Sequence, residues 1–338
     1  RRAVEIAAIP MFNICYADRE GNILYLWNGT IPKFPHASHA SEAVPAATSD
    51  DIWTRFHSID ELPQLLNPPG GYVQNCNSPP YFTNLRAPMD RCDFPPYFPD
   101  NNVSLRSQHS LALVDNEETF TLEEVVERKH SPRMLLADRV KDDLIAALEA
   151  NSPSGEVEHA IALLKAWDNT VTAATRGGAL FEAWWNRYRS SSKTFVQEDL
   201  AVAWDESAPT TTPHGLADES RAVEAFHRAM RDAQEQYGGW DVTWGEVHRV
   251  RRGDAVDLPM SGGSGLMGCF RVAGFDLADD GKLVVNTGDS WVFAVEFSDP
   301  PRAYTVVGYS QSEVPGAEHF ADQATLYSEN RMKRAAFT

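Results

Sequence analysis

The sequence predicts an α+β fold, and three observations carry that prediction. β-rich runs dominate residues 1–104, amphipathic helical patterns fill 105–250, and β-rich runs return over 251–338. The composition is that of a globular chain: 43% hydrophobic and 23% charged residues argue against disorder, collagen and coiled coil, and 338 positions suffice for a sizeable core. The chain therefore divides into a hairpin with long loops (1–104), a helical zone (105–250) and a zone of returning strands with a final helix (251–338). The first and last strands are expected to share one sheet.

In the first zone, Phe12-Asn13-Ile14-Cys15-Tyr16-Ala17-Asp18 and Asn22-Ile23-Leu24-Tyr25-Leu26-Trp27 flank the turn residues Arg19-Glu20-Gly21, the pattern of a β-hairpin. A long irregular stretch rich in His, Pro and Ser follows, ending at Gly71-Tyr72-Val73-Gln74-Asn75-Cys76-Asn77. Loops of that length are usually functional or wrapped on the surface. In the second zone, Thr121-Leu122-Glu123-Glu124 reads as a capping box, and Ser131-Pro132, Pro153-Ser154 and Gly177-Gly178 punctuate further helices. Over 221–237, Val223, Phe226, Met230, Ala233 and Tyr237 fall on one helical stripe. Trp184, Trp185 and Tyr188 do the same in the preceding helix, where helix core is favoured over a cofactor box. In the third zone, 269–275, 291–297 and 304–309 read as strands and about 320–330 as a helix. No internal repeat is visible.

Charge and motifs narrow the chemistry. Against 30 Lys+Arg stand 48 Asp+Glu, a net charge of −18, so no basic face for nucleic acid or an anionic membrane is expected. No apolar run approaches the length that spans a bilayer. The four cysteines lack CxxC spacing, which argues against a zinc or dithiol site. Cys76 and Cys92 flank a Pro-rich segment and form one disulfide in an oxidising compartment, or all four remain unpaired small hydrophobes. The sequons at Asn28 and Asn102 matter only in a secreting eukaryote. Gly263-Ser264-Gly265-Leu266-Met267-Gly268 fits GxGxxG, yet it follows Pro259 and leads into a β-rich run, so it reads as a glycine loop. His36 and His39 have the spacing of a helical ligand pair, but a proline adjoins them and no third ligand follows. A structural or solvent-exposed role is favoured over metal. A Ser-His-Asp triad is spatial and leaves no necessary trace in sequence, and no GxSxG elbow supports one. Asp142-Asp143 and Asp279-Asp280 read as solvated pairs.

One spot stands out. Gln74-Asn75-Cys76-Asn77 places amide side chains at the end of an apolar run, just before Ser78-Pro79-Pro80. A carboxamide donates to a developing oxyanion without bringing a titratable charge. The other reading is an Asx turn ending a strand.

These residues resemble the penicillin acylase family of N-terminal-nucleophile amidohydrolases, which includes penicillin, cephalosporin and acyl-homoserine-lactone acylases. The hairpin resembles the family's strand pair in the β subunit, and Gly71 to Pro79 resembles its G-[YFW]-[IV]-x-N-x-N signature. Leu105-Arg106-Ser107 stands where the family has an Arg some thirty positions after the Asn. Trp167-Asp168, Gly177 to Tyr188, Trp244-Gly245-Glu246-Val247-His248-Arg249, Asn286-Thr287-Gly288-Asp289-Ser290-Trp291, His319-Phe320-Ala321-Asp322-Gln323 and Phe337-Thr338 extend the likeness over nearly the whole chain.

The resemblance implies part of an αββα sandwich with a helical insertion. It implies that Asn77 supplies a side-chain amide to the oxyanion hole, that Arg106 orients that Asn and the N-terminal residue, and that Phe12 lines the acyl pocket. It also implies a self-cutting precursor, or zymogen. A freed Ser at the start of the β subunit is the nucleophile and its own α-amine the base. That amine suits the task because its ordinary pKa is about 7.7–8.0. The chain opens at Arg1, and the residues before Phe12 resemble the helix leading into the hairpin, so the nucleophile Ser is expected on an upstream segment. That segment is the expected partner, with a small acyl amide as substrate, and the chain alone is expected to be inactive. An unpaired sheet edge or a large exposed apolar patch follows. The alternative is a non-catalytic binding or structural domain derived from the family. No cofactor is expected. Calcium occurs in the family, but its ligands come mostly from elsewhere and none is assigned here. Members are exported bacterial enzymes, so a periplasmic or secreted location is expected.

Overall fold

A computed structural model of the chain describes residues 6, 11–34, 39, 43, 46–116, 119–191 and 197–336. The helix expected ahead of Phe12 falls largely on 1–5 and 7–10, which lie outside the described residues, as do His36, Phe337 and Thr338. The chain folds as two compact units, residues 1–118 and 119–338.

In the first unit, strands β1 (Phe12–Ala17) and β2 (Ile23–Asn28) form the expected antiparallel hairpin, with Phe12 opposite Asn28 and Ala17 opposite Ile23. The turn closes on Asp18, whose carboxylate accepts the Asn22 amide at 2.9 Å, while Gly21 takes the left-handed conformation (φ +88°) that glycine adopts without strain. Strand β3 (Gln64–Leu66) joins the other side of β2. Tyr25, Leu26, Trp27, Leu62 and Phe98 make the core, and Trp27 meets Phe98 at 4.9 Å between ring centres. Helix α1 (Leu105–Val114) completes this unit.

The second unit is mixed. Helices α2 (Leu122–Lys129), α3 (Leu135–Ala150), α4 (Glu156–Ala166), α5 (Gly178–Tyr188) and α6 (Glu219–Tyr237) precede the short α7 (Trp244–Val247). The capping box at Thr121 is formed: Glu124 Oε2 accepts the Thr121 amide at 2.7 Å, and Thr121 Oγ1 accepts that of Glu124. Trp184, Trp185 and Tyr188 are core residues; Trp184 Nε1 donates to the Ala222 carbonyl, which ties α5 to α6. Of the expected stripe of α6, Phe226, Met230 and Ala233 are buried, together with Ala222, Ala225 and Ala229, and Val223 and Tyr237 are half-buried.

Strands β4 (Leu200–Val202) and β5 (His214–Leu216) form a small ladder. Strands β6 (His248–Arg252), β7 (Val256–Pro259), β8 (Ala273–Leu277) and β9 (Leu283–Gly288) make a sheet in the order β7-β6-β9-β8. Strands β10 (Trp291–Glu296), β11 (Arg302–Val307) and β12 (Lys333–Arg334) make another. Among the described residues, the early hairpin therefore shares no sheet with the late strands, contrary to expectation.

Two further elements differ from the sequence reading. The strand read over 269–275 begins only at Ala273, because Arg271 turns inward and is fully buried against Asp289, Asn330 and Tyr327. The last helix, α8 (Ala324–Ser328), is shorter than 320–330. At its start the Gln323 amide donates to Ser310 Oγ instead of a helical carbonyl, and past its end Asn330 is left-handed (φ 56°).

Among the described residues, β1 and β10 are edge strands, and each exposes large apolar side chains: Phe12 and Tyr16 on one, Trp291 and Phe293 on the other. Such edges present unpaired backbone groups beside apolar surface. Among the described residues, no helix is long and apolar enough to cross a membrane.

Candidate active site

The Asn77 segment is loop, not strand end, and side chains hold it almost throughout. Asn84, fully buried, anchors its base: Nδ2 donates to the carbonyls of Pro69 and Tyr72, and Oδ1 accepts the amides of Arg86 and Ala87. Every polar atom of that carboxamide is thus satisfied, as burial demands. Farther along, the Gln74 amide donates to the Thr83 carbonyl and Gln74 Nε2 to that of Phe82. The Asx turn that the sequence allows is present: Asn75 Oδ1 accepts the Asn77 amide at 2.7 Å. Asn77 itself lies in the left-handed region (φ 65°), which Asn tolerates better than other side chains do.

Arg106 comes to this loop from the first turn of α1. Ser104 caps that helix, its Oγ accepting the Ser107 amide at 3.3 Å. Ser78 Oγ lies 2.6 Å from Ser107 Oγ, joining the loop to the same turn. A cation in a first turn opposes the helix dipole, and no acidic residue there offsets it. What Arg106 gains is its contact with the loop: Nη2 donates to Asn77 Oδ1 at 2.7 Å and to the Cys76 carbonyl at 2.8 Å. A guanidinium has only donors, so it takes the oxygen end of the Asn77 amide. Nδ2, a donor, is left facing outward, with no protein partner among the described residues, on an exposed side chain.

Asn77 and Arg106 are therefore in direct contact, while Phe12 takes part in neither hydrogen bond and stands 58% exposed on the edge strand β1. Sequence reasoning singled out Asn77 and Arg106 but assigned nothing to Asn84, Ser78 or Ser107, and gave Asn75 no part of its own. The N-x-N spacing was the signal for Asn75, since an Asn side chain reaches the backbone two residues on. Asn84, Ser78 and Ser107 leave no such local signal.

The other candidates fall into place. His39 pairs with Asp100 at 2.7 Å on the surface. Cys76 is buried and Cys92 exposed, and no disulfide joins them. Gly265–Met267 is a single turn capped by Ser264, which leads to no helix. Asp142, Asp143, Asp279 and Asp280 are exposed, and Asp280 pairs with Arg251 at 2.6 Å. Asn28 is buried within the core sheet. Among the described residues, no group of three or more His, Cys, Asp or Glu is placed to hold a metal ion.

The family described as penicillin amidase matches this chain over residues 1–338. The chain belongs to the penicillin amidase family. Among curated relatives, the acyl-homoserine lactone acylase PvdQ of Pseudomonas fluorescens strain Pf-5 is 26% identical, over 99% of this chain and 45% of its own length. The acylase of the same name from Pseudomonas savastanoi pv. phaseolicola is 24% identical over 99% of this chain and 46% of its own. The chain thus spans a little under half the length of the curated relatives it matches. Among solved structures, a thermostable penicillin G acylase from Alcaligenes faecalis superposes with a TM-score of 0.55 at 18% identity, covering 97% of this chain and 65% of that one. At that identity the likeness is one of fold. This α+β chain shares the fold of a penicillin amidase family acylase, as the resemblance implied.

Proposed function

We propose that this chain is the C-terminal portion of an acylase and that Asn77 Nδ2 is a donor of its oxyanion hole. The carrying observation is the polarity of the Asn77 amide: Arg106 takes its oxygen, so the exposed end is the N–H end. In the proposed reaction, a Ser on a segment outside this sequence attacks the amide carbon and passes its hydroxyl proton to its own α-amine. As the carbonyl oxygen becomes an oxyanion, Asn77 donates to it; the C–N bond breaks, the amine leaves with the proton, and water hydrolyses the acyl-enzyme. Arg106 acts by orienting Asn77.

The share of the relatives' length that the chain spans supports a partner segment that carries the Ser, released by self-cleavage of a precursor. The exposed apolar edges at β1 and β10 suit such a partner, and Phe12 on β1 would help line the acyl pocket. The substrate class is a small acyl amide. Acyl-homoserine lactones are the first to try, because the curated relatives are named for them. A periplasmic or secreted location in bacteria goes with this reading.

The test is reconstitution. The chain alone should release no amine from an acylated substrate, and the chain supplied with its upstream segment should release it. Amine release by the chain alone contradicts the placement of the nucleophile. A folded, inactive reconstituted pair favours the other reading, a non-catalytic binding or structural domain.

A further inference from the structure

Asn77 is useful only while its backbone stays left-handed. At φ 65° the Cα–Cβ bond aims the carboxamide at Arg106; relaxation to negative φ would swing Cβ away and take Nδ2 with it. Something must therefore hold the backbone there. Asn75, half-buried, sits two residues earlier, and its carboxamide spans the position. Its Oδ1 accepts the Asn77 amide at 2.7 Å and its Nδ2 donates to the Ser78 carbonyl at 2.9 Å. The peptide unit before Asn77 is thereby held at both ends, its N–H by Asn75 and its C=O by Arg106. On the far side, the Ser78 hydroxyl rests on Ser107 Oγ in the first turn of α1.

We infer that Asn75 is a positioning residue, a side-chain clamp that fixes the backbone of Asn77 and so aims its Nδ2 at the developing oxyanion. The inference rests on the oxyanion role proposed for Asn77. Asn75 touches no reacting atom; it acts through Asn77 alone, and this sets it apart from a residue that merely stabilises the loop. A loop stabiliser would lower yield or melting temperature and leave turnover per folded site intact. A clamp lowers turnover, and only while Asn77 has an amide to aim.

A double-mutant cycle in the full precursor, assayed after self-processing on an acyl p-nitroanilide, reads this directly. Asn75→Ala should lower kcat about 10-fold with KM within about 2-fold. Asn77→Ala should lower it about 10²–10³-fold, and the double variant should be no worse than Asn77→Ala. Where Asn75→Ala gives no folded enzyme, Asn75→Asp replaces it in the same cycle. Asp keeps the acceptor for the Asn77 amide and loses the donor to Ser78, so a loss of about 3-fold should appear with Asn77 present and vanish in the Asn77→Ala background. Wild-type kcat in the Asn75 variants overturns the clamp. Losses that multiply in the double variant overturn it too, because Asn75 would then act independently of Asn77. An Asn77→Ala enzyme with wild-type kcat overturns the oxyanion reading and the clamp with it.

Discussion

Arg106 Nη2 lies 2.7 Å from Asn77 Oδ1 and 2.8 Å from the carbonyl oxygen of Cys76, so one guanidinium nitrogen holds both the side chain and the preceding peptide of the candidate oxyanion donor. Charge-assisted hydrogen bonds of this kind are shorter and stronger than neutral ones. The contact decides which end of an otherwise ambiguous carboxamide faces outward.

Arg106→Ala should therefore lower kcat of the processed full-length enzyme about 10–100-fold, the worth of about 1.5–3 kcal/mol for hydrogen bonds from a charged group. Arg106→Lys should recover only part of the loss, since a shorter, strongly hydrated ammonium does not put a donor where the single guanidinium nitrogen Nη2 meets both oxygens. Steady-state kinetics on both variants check this. Full recovery in Arg106→Lys would point to charge alone.

A second prediction concerns pH. His130 is buried at the end of α2, and burial, with the nearby cations Arg271 and Lys129, holds its imidazole down to about 4. In the unfolded chain the same ring takes up a proton below its ordinary value near 6.5. Between about pH 6.5 and 4 the unfolded state binds the extra proton, so stability falls as pH drops through that window. The loss should approach about 3 kcal/mol by pH 4. Urea unfolding at pH 7 and pH 4.5 should show a smaller drop for His130→Gln than for the wild type; equal drops would refute it.

Arg271 offers a third. It is fully buried, and Asp289 neutralises it at 3.1 Å while also accepting Lys129 Nζ at 2.7 Å. Asp289→Ala leaves a buried guanidinium without its counter-charge, which costs about 3–5 kcal/mol. Denaturant unfolding should show that loss. A change under about 1 kcal/mol would mean that Tyr327 and Asn330 suffice to hold the cation.

Much of this was legible in the sequence, for reasons that differ by element. The hairpin was readable because β-rich residues flank a Gly turn, and the Thr121 capping box because its two bonds run between residues three apart. Both signals are local. The shortened helix near 324–328 was not readable, because Ser310, fourteen positions before Ala324, claims the Gln323 amide. The late start of β8 has the same origin: Arg271 follows partners 18 to 59 residues away. The expectation of one sheet shared by early and late strands failed because strand pairing is a non-local choice. At the site, Asn77 and Arg106 were found through family likeness. Asn84 and the Ser78–Ser107 contact act across folded loops and leave no spacing to read.

The most direct test of the central claim is the acylation rate of Asn77→Ala, measured by single-turnover kinetics in the processed full-length protein. If Asn77 Nδ2 stabilises the oxyanion, the rate should fall about 10²–10³-fold while substrate binding changes little. Acylation at the wild-type rate would contradict it.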